Sequence, residues 1–342
     1  MDMDVAVAGG GPVGLYLARL LQEKGLEACL LEEHGEIGNP NHCSGLISRN
    51  LDRFIKPGDW VEHKVSGAVF KCGPAELKVS KPGIAAYVID RSAFDSSLAE
   101  GLDCIRFHMR LEGFSVSGNG VSARTNKGTL KANMIIGCDG ANSVVARHFG
   151  FRPKKLLQGA IAITGGRDFS QDVEIHIEKK LAPDGFFWRI PRGETTEYGM
   201  FCSGANFQTL ENFFKLKKPY ERRAGLIPMG PGKTHFERAL LVGDAAGMTK
   251  PWSGGGVIWG FTAARVAARA IEQACEQEDF SEAFLARYEK GWKRAFGRQV
   301  QVGMLGRKIF ERMENPEICL ALRGLGILRP LVNRMDMDFL AR

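Results

Sequence analysis

The feature that most constrains the fold lies at the start of the chain, where a glycine-rich turn joins a strand to a helix. Residues 4–8 form an apolar run that predicts a short strand, and residues 15–24 have helical spacing. GGGPVG stands between them at 9–14. In such a unit the first glycine permits a tight turn, the second lets backbone approach a pyrophosphate, and the third lets the helix pack on the strand. The stretch therefore predicts a dinucleotide-binding fold, with the helix N-terminus facing the phosphates. Its candidate cofactor-binding residues are Gly9, Gly11, Pro12, Val13 and Gly14.

A carboxylate follows at the distance that this fold requires. The second predicted strand, residues 28–31, ends in Glu32, 23 positions after Gly9. A carboxylate at that point accepts hydrogen bonds from ribose hydroxyls. Glu33 is expected in solvent, but a register shift of one residue would exchange the roles of the two glutamates, so both are candidate cofactor-binding residues.

Two later strand ends carry an acidic residue among glycines. Residues 130–136 predict a strand that runs into GCDGANS at 137–143, and a second apolar strand after Arg238 runs into GDAAG at 243–247. PWSGGG at 251–256 then precedes a helical run over 257–274. Carboxylates at strand ends hold polyol hydroxyls, and glycines before a helix expose backbone N–H groups and a positive helix end. The candidate cofactor-binding residues here are Asp139, Gly140, Gly243, Asp244, Pro251, Gly254, Gly255 and Gly256.

The segment between these two turns predicts a sheet. Alternation of apolar and polar residues at 173–178 and 197–202 indicates half-buried strands, and part of residues 62–84 is expected to join them. FFWRIP at 186–191 concentrates aromatic surface, which favours either plain core or the wall of a pocket for a long apolar substrate. The candidate substrate-binding residues are Phe186, Trp188, Ile190, Pro191 and Trp252.

Composition and cysteine usage are those of a cytoplasmic globular protein. Apolar residues make up 44% and charged residues 25% of the 342-residue chain. The eight cysteines are scattered without a CxxC pair, so neither a disulfide framework nor a metal site is predicted. Met1 leads directly into VAVAGGG, without the basic start and long apolar region of a secretory signal. No apolar run reaches the roughly 18 residues that a membrane span needs.

Positive charge is concentrated at the end of the chain. The net charge is +7, and residues 286–342 contain 12 Lys/Arg against 6 Asp/Glu. This pattern is typical of a solvated helical tail or of a surface for anionic lipid head groups. We therefore predict peripheral contact with the inner face of the cell membrane. No nucleic-acid partner is predicted, because no binding motif for nucleic acid is found.

Taken together, the glycine turn, the CDG turn and the GDAAG segment resemble the three fingerprints of the FAD-dependent hydroxylase superfamily, in the same order and spacing over residues 4–275. The resemblance implies FAD as the cofactor. YVIDR at 87–91 also resembles a segment of that superfamily, which implies that Arg91 lies near the FAD. An ion pair between Arg91 and Asp95 on one helix is the alternative.

The resemblance also implies an α/β architecture: a Rossmann-type FAD-binding domain, an inserted antiparallel-sheet substrate domain and C-terminal helices. The predicted FAD-binding domain is discontinuous and comprises residues 1–61, 85–154 and 232–285. The predicted substrate-binding sheet domain comprises residues 62–84 and 155–231, and the helical region comprises residues 286–342.

Residues 40–48, PNHCSGLIS, resemble the P-x-x-C-x-G-L-I-S element of the geranylgeranyl reductase family, flavoenzymes that saturate prenyl chains of archaeal lipids and chlorophyll side chains. FFWRIP is similar to the YxWxFP substrate motif of that family, with Phe186 and Ile190 as departures. The resemblance implies that Cys43 is catalytic and that Cys43, Ser44 and Gly45 pass over the flavin. His42 is the natural neighbour to activate the thiol, or else a solvent-facing turn residue.

The implied reaction is hydride transfer from flavin N5 to an isolated alkene in a geranylgeranyl chain of an archaeal glycerophospholipid. A proton is delivered to the other carbon of the alkene. Whether Cys43 acts as an acid, positions the substrate or tunes the flavin stays open at this point. The electron donor also stays open among NADPH, a deazaflavin and a ferredoxin, because no second GxGxxG marks an NADPH domain.

Three other functions are compatible with these residues. FFWRIP also approaches the WxWxIP element of flavin halogenases, which would make the protein a monooxygenase or halogenase, although the first tryptophan is missing. An electron-transfer flavoprotein that delivers electrons to quinone would need clustered cysteines for an iron-sulfur cluster, and Cys319 stands alone. The third is a flavin-binding module without turnover.

Overall fold

A computed structural model of the protein describes residues 3–339, so residues 1–2 and 340–342, which belong to the predicted FAD-binding domain and helical region, lie outside the described residues. The strands are β1 (Met3–Ala8), β2 (Ala28–Leu31), β3 (Leu46–Ser48), β4 (Val61–Val65), β5 (Gly67–Cys72), β6 (Ala75–Ser80), β7 (Ala86–Ile89), β8 (Ile105–Arg106), β9 (Leu111–Ser117), β10 (Gly120–Thr125), β11 (Gly128–Gly137), β12 (Lys155–Asp168), β13 (Asp172–His176), β14 (Phe186–Pro191), β15 (Gly193–Cys202), β16 (Glu221–Met229), β17 (His235–Phe236) and β18 (Ala239–Leu241).

Helices connect and cover these strands. They are α1 (Pro12–Glu23), α2 (Arg91–Ala99), α3 (Val144–His148), α4 (Phe207–Phe214), α5 (Val257–Glu276), α6 (Glu282–Trp292), α7 (Arg298–Arg312), α8 (Asn315–Ile327) and α9 (Arg329–Val332). Among the helices of residues 3–339, none combines the length and the apolar character that crossing a membrane requires.

The chain divides into two compact units, and the first contains the glycine turn. Its segments are Met1–Pro40, Ser92–Lys155 and Pro228–Gln301. The central sheet has the order β17-β18-β11-β1-β2-β8, and the four pairings from β18 to β8 are parallel. β10 pairs antiparallel with β11 and with β9. Because parallel strands are covered on both faces, β1 and β2 read as apolar runs, and Val5 and Leu30 have no exposed surface.

Helices α1 and α5 pack closely in the first unit because glycines leave room for Val13. A Cβ atom on Gly260 would lie 2.4 Å from Val13 Cγ2, and one on Gly243 would lie 3.2 Å from it. Val13 is therefore a packing residue at the start of α1. Its side chain has no polar group that could bind a cofactor, and its predicted role in cofactor binding stays a prediction.

The second unit comprises Asn41–Arg91, Leu156–Ile227 and Val302–Arg342. Its larger sheet has the order β16-β12-β15-β14-β13-β5-β6, and a smaller sheet has the order β3-β7-β4. The larger sheet is not purely antiparallel as predicted, because β13 pairs with β5 in parallel, Asp172 opposite Gly67. The two strands come from distant segments, so no hairpin turn fixes their relative direction.

The bounds of the units differ from the predicted domains. Residues 41–61 and 85–91 belong to the second unit, because β3 and β4 both pair with β7. The predicted C-terminal helical region divides near Gln301. Its later part belongs to the second unit because Ile318 and Leu322 of α8 are buried against Leu77 and its neighbours on the β5–β6 hairpin.

Candidate active site

The three motif glycines of the glycine turn, residues 9–14, have three different surroundings. Gly9 has φ +98°, which L side chains rarely adopt. A Cβ atom on Gly14 would lie 2.0 Å from the Gly9 carbonyl oxygen, so only glycine lets α1 approach the turn. At Gly11, in contrast, no atom lies within 4 Å of the position a Cβ would take. The backbone of Gly11 thus borders open space, as close approach of a phosphate requires.

The first turn of α1 leaves its backbone donors without a side-chain partner. Gly11 caps the helix without a side-chain hydrogen bond, Pro12 occupies its first turn, and no acidic residue lies in that turn. The N–H groups and the positive end of the helix dipole are thus available to an anion. This turn fits the pyrophosphate of a dinucleotide.

Glu32 is the glutamate that the fold holds in place. Its side chain is buried, Oε2 accepts from the Gly10 N–H at 2.8 Å, and Oε1 accepts from the His34 N–H at 2.7 Å. Oε1 also accepts from His34 Nδ1 at 2.7 Å, so Oε2 is the oxygen with a further lone pair for a ribose hydroxyl. Glu33 is exposed, so the strand register favours Glu32 over Glu33.

Asp139, in the CDG turn, carries a buried oxygen that lacks a partner. Oδ2 accepts from the Val144 N–H at 2.7 Å, whereas no hydrogen-bond partner of Oδ1 is found within residues 3–339. Burial raises the pKa of Asp139. An unpaired buried oxygen beside the first turn of α3 fits a ligand that offers a hydrogen-bond donor. Gly140 next to it has φ +71°.

The GDAAG segment and the glycines before α5 also fit together closely. A Cβ atom on Gly256 would lie 2.7 Å from Asp244 Oδ1, so this carboxylate requires glycine at position 256. Gly254 has φ +74°, Pro251 is buried, and α5 starts after Gly256 without a side-chain cap. As at α1, a helix N-terminus is left without a capping side chain or an acidic first turn.

In the second unit, residues 41–45 form the loop before β3 that carries the thiol, here called the thiol loop. The Cys43 N–H donates to Asn41 Oδ1 at 3.0 Å, and the Gly45 N–H donates to Cys43 Sγ at 3.4 Å. Gly45 has φ +71°, and a Cβ there would lie 2.4 Å from the Ile89 carbonyl oxygen. Cys43 itself is half-buried. The thiol therefore sits in a loop with defined hydrogen bonds rather than in apolar core.

His42 holds the thiol loop against β16. Its Nδ1 lies 2.7 Å from the Ala224 carbonyl oxygen, and because a carbonyl only accepts, the proton is on Nδ1. The imidazole Nδ1 is thus engaged by the backbone and not by Cys43. The geometry gives His42 a role in placing the loop, while its predicted part in activating the thiol stays a prediction.

The predicted substrate-binding residues do not share one face of β14. Successive side chains of a strand point to opposite faces, so Phe186, Trp188 and Ile190 lie on one face and Pro191 lies on the other with Phe187. Phe187 stacks on Phe213 of α4, with ring centroids 4.0 Å apart. That face is core of the second unit.

Trp188 and Trp252 have different surroundings. The Trp188 indole covers Gly199 of the neighbouring strand, where a Cβ atom would lie 2.1 Å from the ring. Trp252 belongs to the first unit and packs edge-on against the buried Trp259, with centroids 5.6 Å apart. Arg91, at the first position of α2, is half-buried, and its predicted role stays a prediction.

A buried ion pair that was not predicted from the sequence contacts Trp188. Glu197 of β15 has no exposed surface; its Oε1 accepts from Trp188 Nε1 at 2.8 Å and its Oε2 accepts from Arg192 Nη1 at 2.9 Å. Burial raises the pKa of Glu197 to about 7, although Arg192 and the indole favour its charged form.

Arg192 continues this network to the thiol loop. Its Nη1 donates to the Ser44 carbonyl oxygen at 2.6 Å, and its Nη2 donates to the Ile89 carbonyl oxygen at 2.8 Å. Nη2 also lies 2.5 Å from a carboxylate oxygen of Glu62. In sequence, Glu197 looks like one polar residue of an alternating strand, and nothing marks Arg192, which is 148 positions from Ser44.

The fold and these residues define a flavoprotein with a dinucleotide-binding unit. The sequence model of the FAD binding domain family matches residues 2–206, and the chain therefore belongs to this family, with FAD as its cofactor. Relatives include an uncharacterized protein of Methanocaldococcus jannaschii, 30% identical over 92% of this chain and 86% of its own length.

A second relative is digeranylgeranylglycerophospholipid reductase 2 of Methanopyrus kandleri, which is 28% identical over 93% of this chain and 89% of its own length. Among solved structures, a geranylgeranyl bacteriochlorophyll reductase-like protein of Thermoplasma acidophilum superposes with a TM-score of 0.84 at 22% identity, covering 99% of this chain and 93% of its own. The predicted resemblance to the geranylgeranyl reductase family is thereby confirmed, as is the α/β fold with an FAD-binding domain.

Proposed function

We propose that this protein is an FAD-dependent oxidoreductase that saturates the isoprenoid C=C bonds of geranylgeranyl chains in membrane lipids. The observation that carries the proposal is the thiol loop: a half-buried Cys43, held by hydrogen bonds from the Cys43 and Gly45 N–H groups, in a chain of which 93% matches a digeranylgeranylglycerophospholipid reductase. A thiol placed in this way is available to a substrate, whereas a structural cysteine is usually enclosed in core.

The residues of the first unit would hold the cofactor. The Gly11 backbone and the first turn of α1 receive the pyrophosphate, Glu32 receives the ribose hydroxyls, and Asp244 with the glycines before α5 receives the far end of the molecule. When bound and reduced, FAD supplies the hydride for one carbon of the alkene. The protein must supply a proton for the other carbon and an environment without water.

Cys43 is the residue that we assign to the reacting alkene. Its Sγ can hold a proton, and the Gly45 N–H fixes the direction of the sulfur. As an acid, Cys43 would give a solvent isotope effect on alkene reduction that Cys43→Ala abolishes together with most turnover. If Cys43 instead positions the substrate, Cys43→Ser should retain most of the alkene turnover. As a group that tunes the flavin, it would change the flavin reduction potential on substitution.

The apolar face of β14 is our candidate wall for the prenyl chain. Phe186 is half-buried and Trp188 nearly enclosed, and the only polar atom of the indole is satisfied by Glu197. Such a wall offers a hydrocarbon chain area without unpaired polar groups and excludes water.

The direct test is anaerobic. The purified holoprotein is reduced with dithionite, mixed with a digeranylgeranyl glycerophospholipid, and followed by flavin absorbance and product mass. Flavin reoxidation with a gain of two mass units for each double bond supports the proposal. If the flavin stays reduced until oxygen or a quinone is added, the reductase proposal fails in favour of a monooxygenase or an electron-transfer flavoprotein. NADPH, a reduced deazaflavin and reduced ferredoxin are then compared as donors.

We further propose that the C-terminal helices rest on an anionic membrane surface. Leu305 and Ile309 of α7 and Leu320 and Ile327 of α8 are 61%, 55%, 72% and 83% exposed. Exposed basic residues on the same helices include Lys308, Arg312 and Arg323. Apolar side chains with basic neighbours are typical of helices that bind anionic lipids.

Sedimentation with phosphatidylglycerol vesicles tests this surface. We expect the protein to bind and to dissociate when Leu320 and Ile327 are both changed to Glu, or at high salt. Phe169→Glu is the matched control, because Phe169, which directly follows β12 in the same unit, is 60% exposed. A wild-type protein that remains in the supernatant, or a control that dissociates equally, would contradict the proposal.

A further inference from the structure

The network of Arg192 and Glu197 has no assigned part in cofactor binding or in the proposed proton transfer, yet both of its charged side chains are buried in the second unit. Arg192 is 5% exposed and Glu197 is fully buried. Taking two charges out of water costs several kcal/mol for each ion unless geometry and further hydrogen bonds offset it. A protein keeps such a pair where its directional bonds have a use.

The directional bonds lead to the Trp188 indole, to two backbone carbonyls, and to Glu62, which lies 2.5 Å from Arg192 Nη2. One oxygen of Glu197 accepts from the Trp188 indole, on the apolar face of β14. The two terminal nitrogens of Arg192 donate to the carbonyl oxygens of Ser44 and Ile89. Ser44 follows Cys43 directly, and Ile89 O is also the atom that closely faces Gly45.

The rest of the thiol loop has few other anchors. Its Cys43 N–H and Gly45 N–H are bonded within the loop, to Asn41 and to Cys43 Sγ. The exposed His42 ring contacts the Ala224 carbonyl at one side. The Ile89 N–H donates to the Gly45 carbonyl oxygen at 3.0 Å. The guanidinium of Arg192 is thus the buried side-chain group that holds the backbone next to the thiol.

We infer that Arg192 and Glu197 are positioning residues that fix the backbone of the thiol loop relative to the Trp188 indole. The chain Trp188–Glu197–Arg192–Ser44 joins the proposed wall of the prenyl site to the residue that follows the proposed catalytic thiol. A planar guanidinium with several donors is suited to this task, because one group can hold two carbonyls and a carboxylate at fixed angles.

The inference rests on the proposed function for its kinetic consequence alone. Loosening the loop misplaces the thiol from the alkene and lowers kcat, while the apolar surface that binds the chain remains and KM changes little. Arg192→Lys keeps the positive charge but not the planar set of donors. It therefore separates placement of the loop from simple neutralisation of Glu197.

The first readout is independent of turnover. The rate of Cys43 alkylation by iodoacetamide is measured by peptide mass mapping in the FAD-loaded wild type and in Arg192→Lys, Arg192→Met and Glu197→Gln. We expect at least a fivefold change in rate in all three variants. Arg189→Met is the matched control, since Arg189 lies on β14, three residues before Arg192, and pairs with Asp168 and Glu174 instead of the loop. Its Cys43 should react at the wild-type rate.

The second readout is the split between kcat and KM for the prenyl lipid, with at least a tenfold loss in kcat and less than a threefold change in KM. Wild-type alkylation rates in Arg192→Lys and Glu197→Gln, or an equal change in Arg189→Met, would overturn the inference. If Arg192→Met does not fold, the lysine and glutamine variants still decide it. If the wild type reduces no prenyl lipid, the proposed function fails, while the alkylation rates still test the placement of the loop.

Discussion

The glycine turn and the thiol loop are both short segments that lead into the next element of the fold, but different features determine their backbone positions. In the glycine turn, missing side chains create the site: Gly14 lets the helix approach, and Gly11 leaves open space for a ligand. In the thiol loop, contacts with residues distant in sequence determine the backbone position: Arg192 donates to the Ser44 carbonyl, and His42 of the loop bonds to the Ala224 carbonyl. The difference teaches that a site made by local backbone is visible in sequence, whereas a site held by distant side chains is not.

The largest effect of a substitution is expected in the glycine turn, where the absence of side chains forms the site. A methyl group at Gly14 would lie 2.0 Å from the Gly9 carbonyl oxygen, so Gly14→Ala should cost about 3 kcal/mol in the free energy of unfolding and abolish FAD binding. Gly11→Ala is the matched variant, because its methyl group meets no atom. It should change the free energy of unfolding by less than about 1 kcal/mol and still weaken FAD binding. Urea denaturation and flavin absorbance measure both, and equal stability of the two variants would contradict the distinction.

The next effect concerns the thiol. Cys43→Ala removes a side chain that supports no packing core, so it should retain FAD and lose at least about 100-fold in alkene turnover, as expected for loss of a group that acts on a proton in the transition state. Cys275→Ala, a half-buried thiol of α5, is the control. Steady-state turnover decides: a Cys43→Ala protein as active as the control would take Cys43 out of the mechanism.

The third effect is a pH dependence that arises from Glu197 in the second unit. The pKa of Glu197 is raised to about 7 from an ordinary value near 4.5, so the folded state holds a proton that the unfolded state has released between these values. Stability from this group is present below pH 4.5 and is lost as the pH rises through 7. From pH 5 to pH 8 the loss amounts to roughly 2 kcal/mol in the free energy of unfolding.

Glu197→Gln should remove that slope. The charged groups that face Glu197 are Arg192 and, from β16, Arg223, and both stay charged throughout this range. Urea titrations of the wild type and of Glu197→Gln at several pH values measure the difference. Parallel pH profiles of the two proteins would show that Glu197 does not titrate there.

The smallest effect concerns the first unit, where the long side chain of Glu32 supports the glycine turn through a hydrogen bond from the Gly10 N–H. Glu32→Gln keeps a single acceptor oxygen for the Gly10 and His34 amides and for the ribose, so the Kd for FAD should rise about tenfold, equivalent to about 1.4 kcal/mol. Glu33→Gln should change the Kd less than twofold, because Glu33 is exposed. Fluorescence titration with FAD tests both variants. A larger rise in the Kd for Glu33→Gln than for Glu32→Gln would contradict the assignment of Glu32 to the ribose.

Much of the first unit could be predicted from residue types. The glycine turn, the strand that ends in Glu32 and the helix from Val257 follow from spacing alone, since hydrophobic periodicity and glycine conformation are local properties. The second unit was harder to predict. Strands β13 and β5 pair in parallel although they lie about a hundred residues apart, and no turn residue in the sequence indicates this pairing.

The faces of β14 illustrate the same limit. FFWRIP reads as one aromatic cluster, yet alternation divides it between the packing face of Phe187 and the face of Trp188. Which face is core depends on where α4 packs, and this is a property of the tertiary structure.

By itself, the sequence determined that this protein binds a dinucleotide, that the cofactor is FAD, and that a cysteine stands in the loop after the second strand, because these properties belong to glycines, carboxylates and short motifs in contiguous segments. Only the tertiary structure decided that Arg192 and Glu197 are buried together, that they hold the carbonyl of Ser44, and that the indole of Trp188 completes the network. The physical reason is that a buried charge is stable only with its partners, and partners from distant strands become neighbours only when the sheet forms.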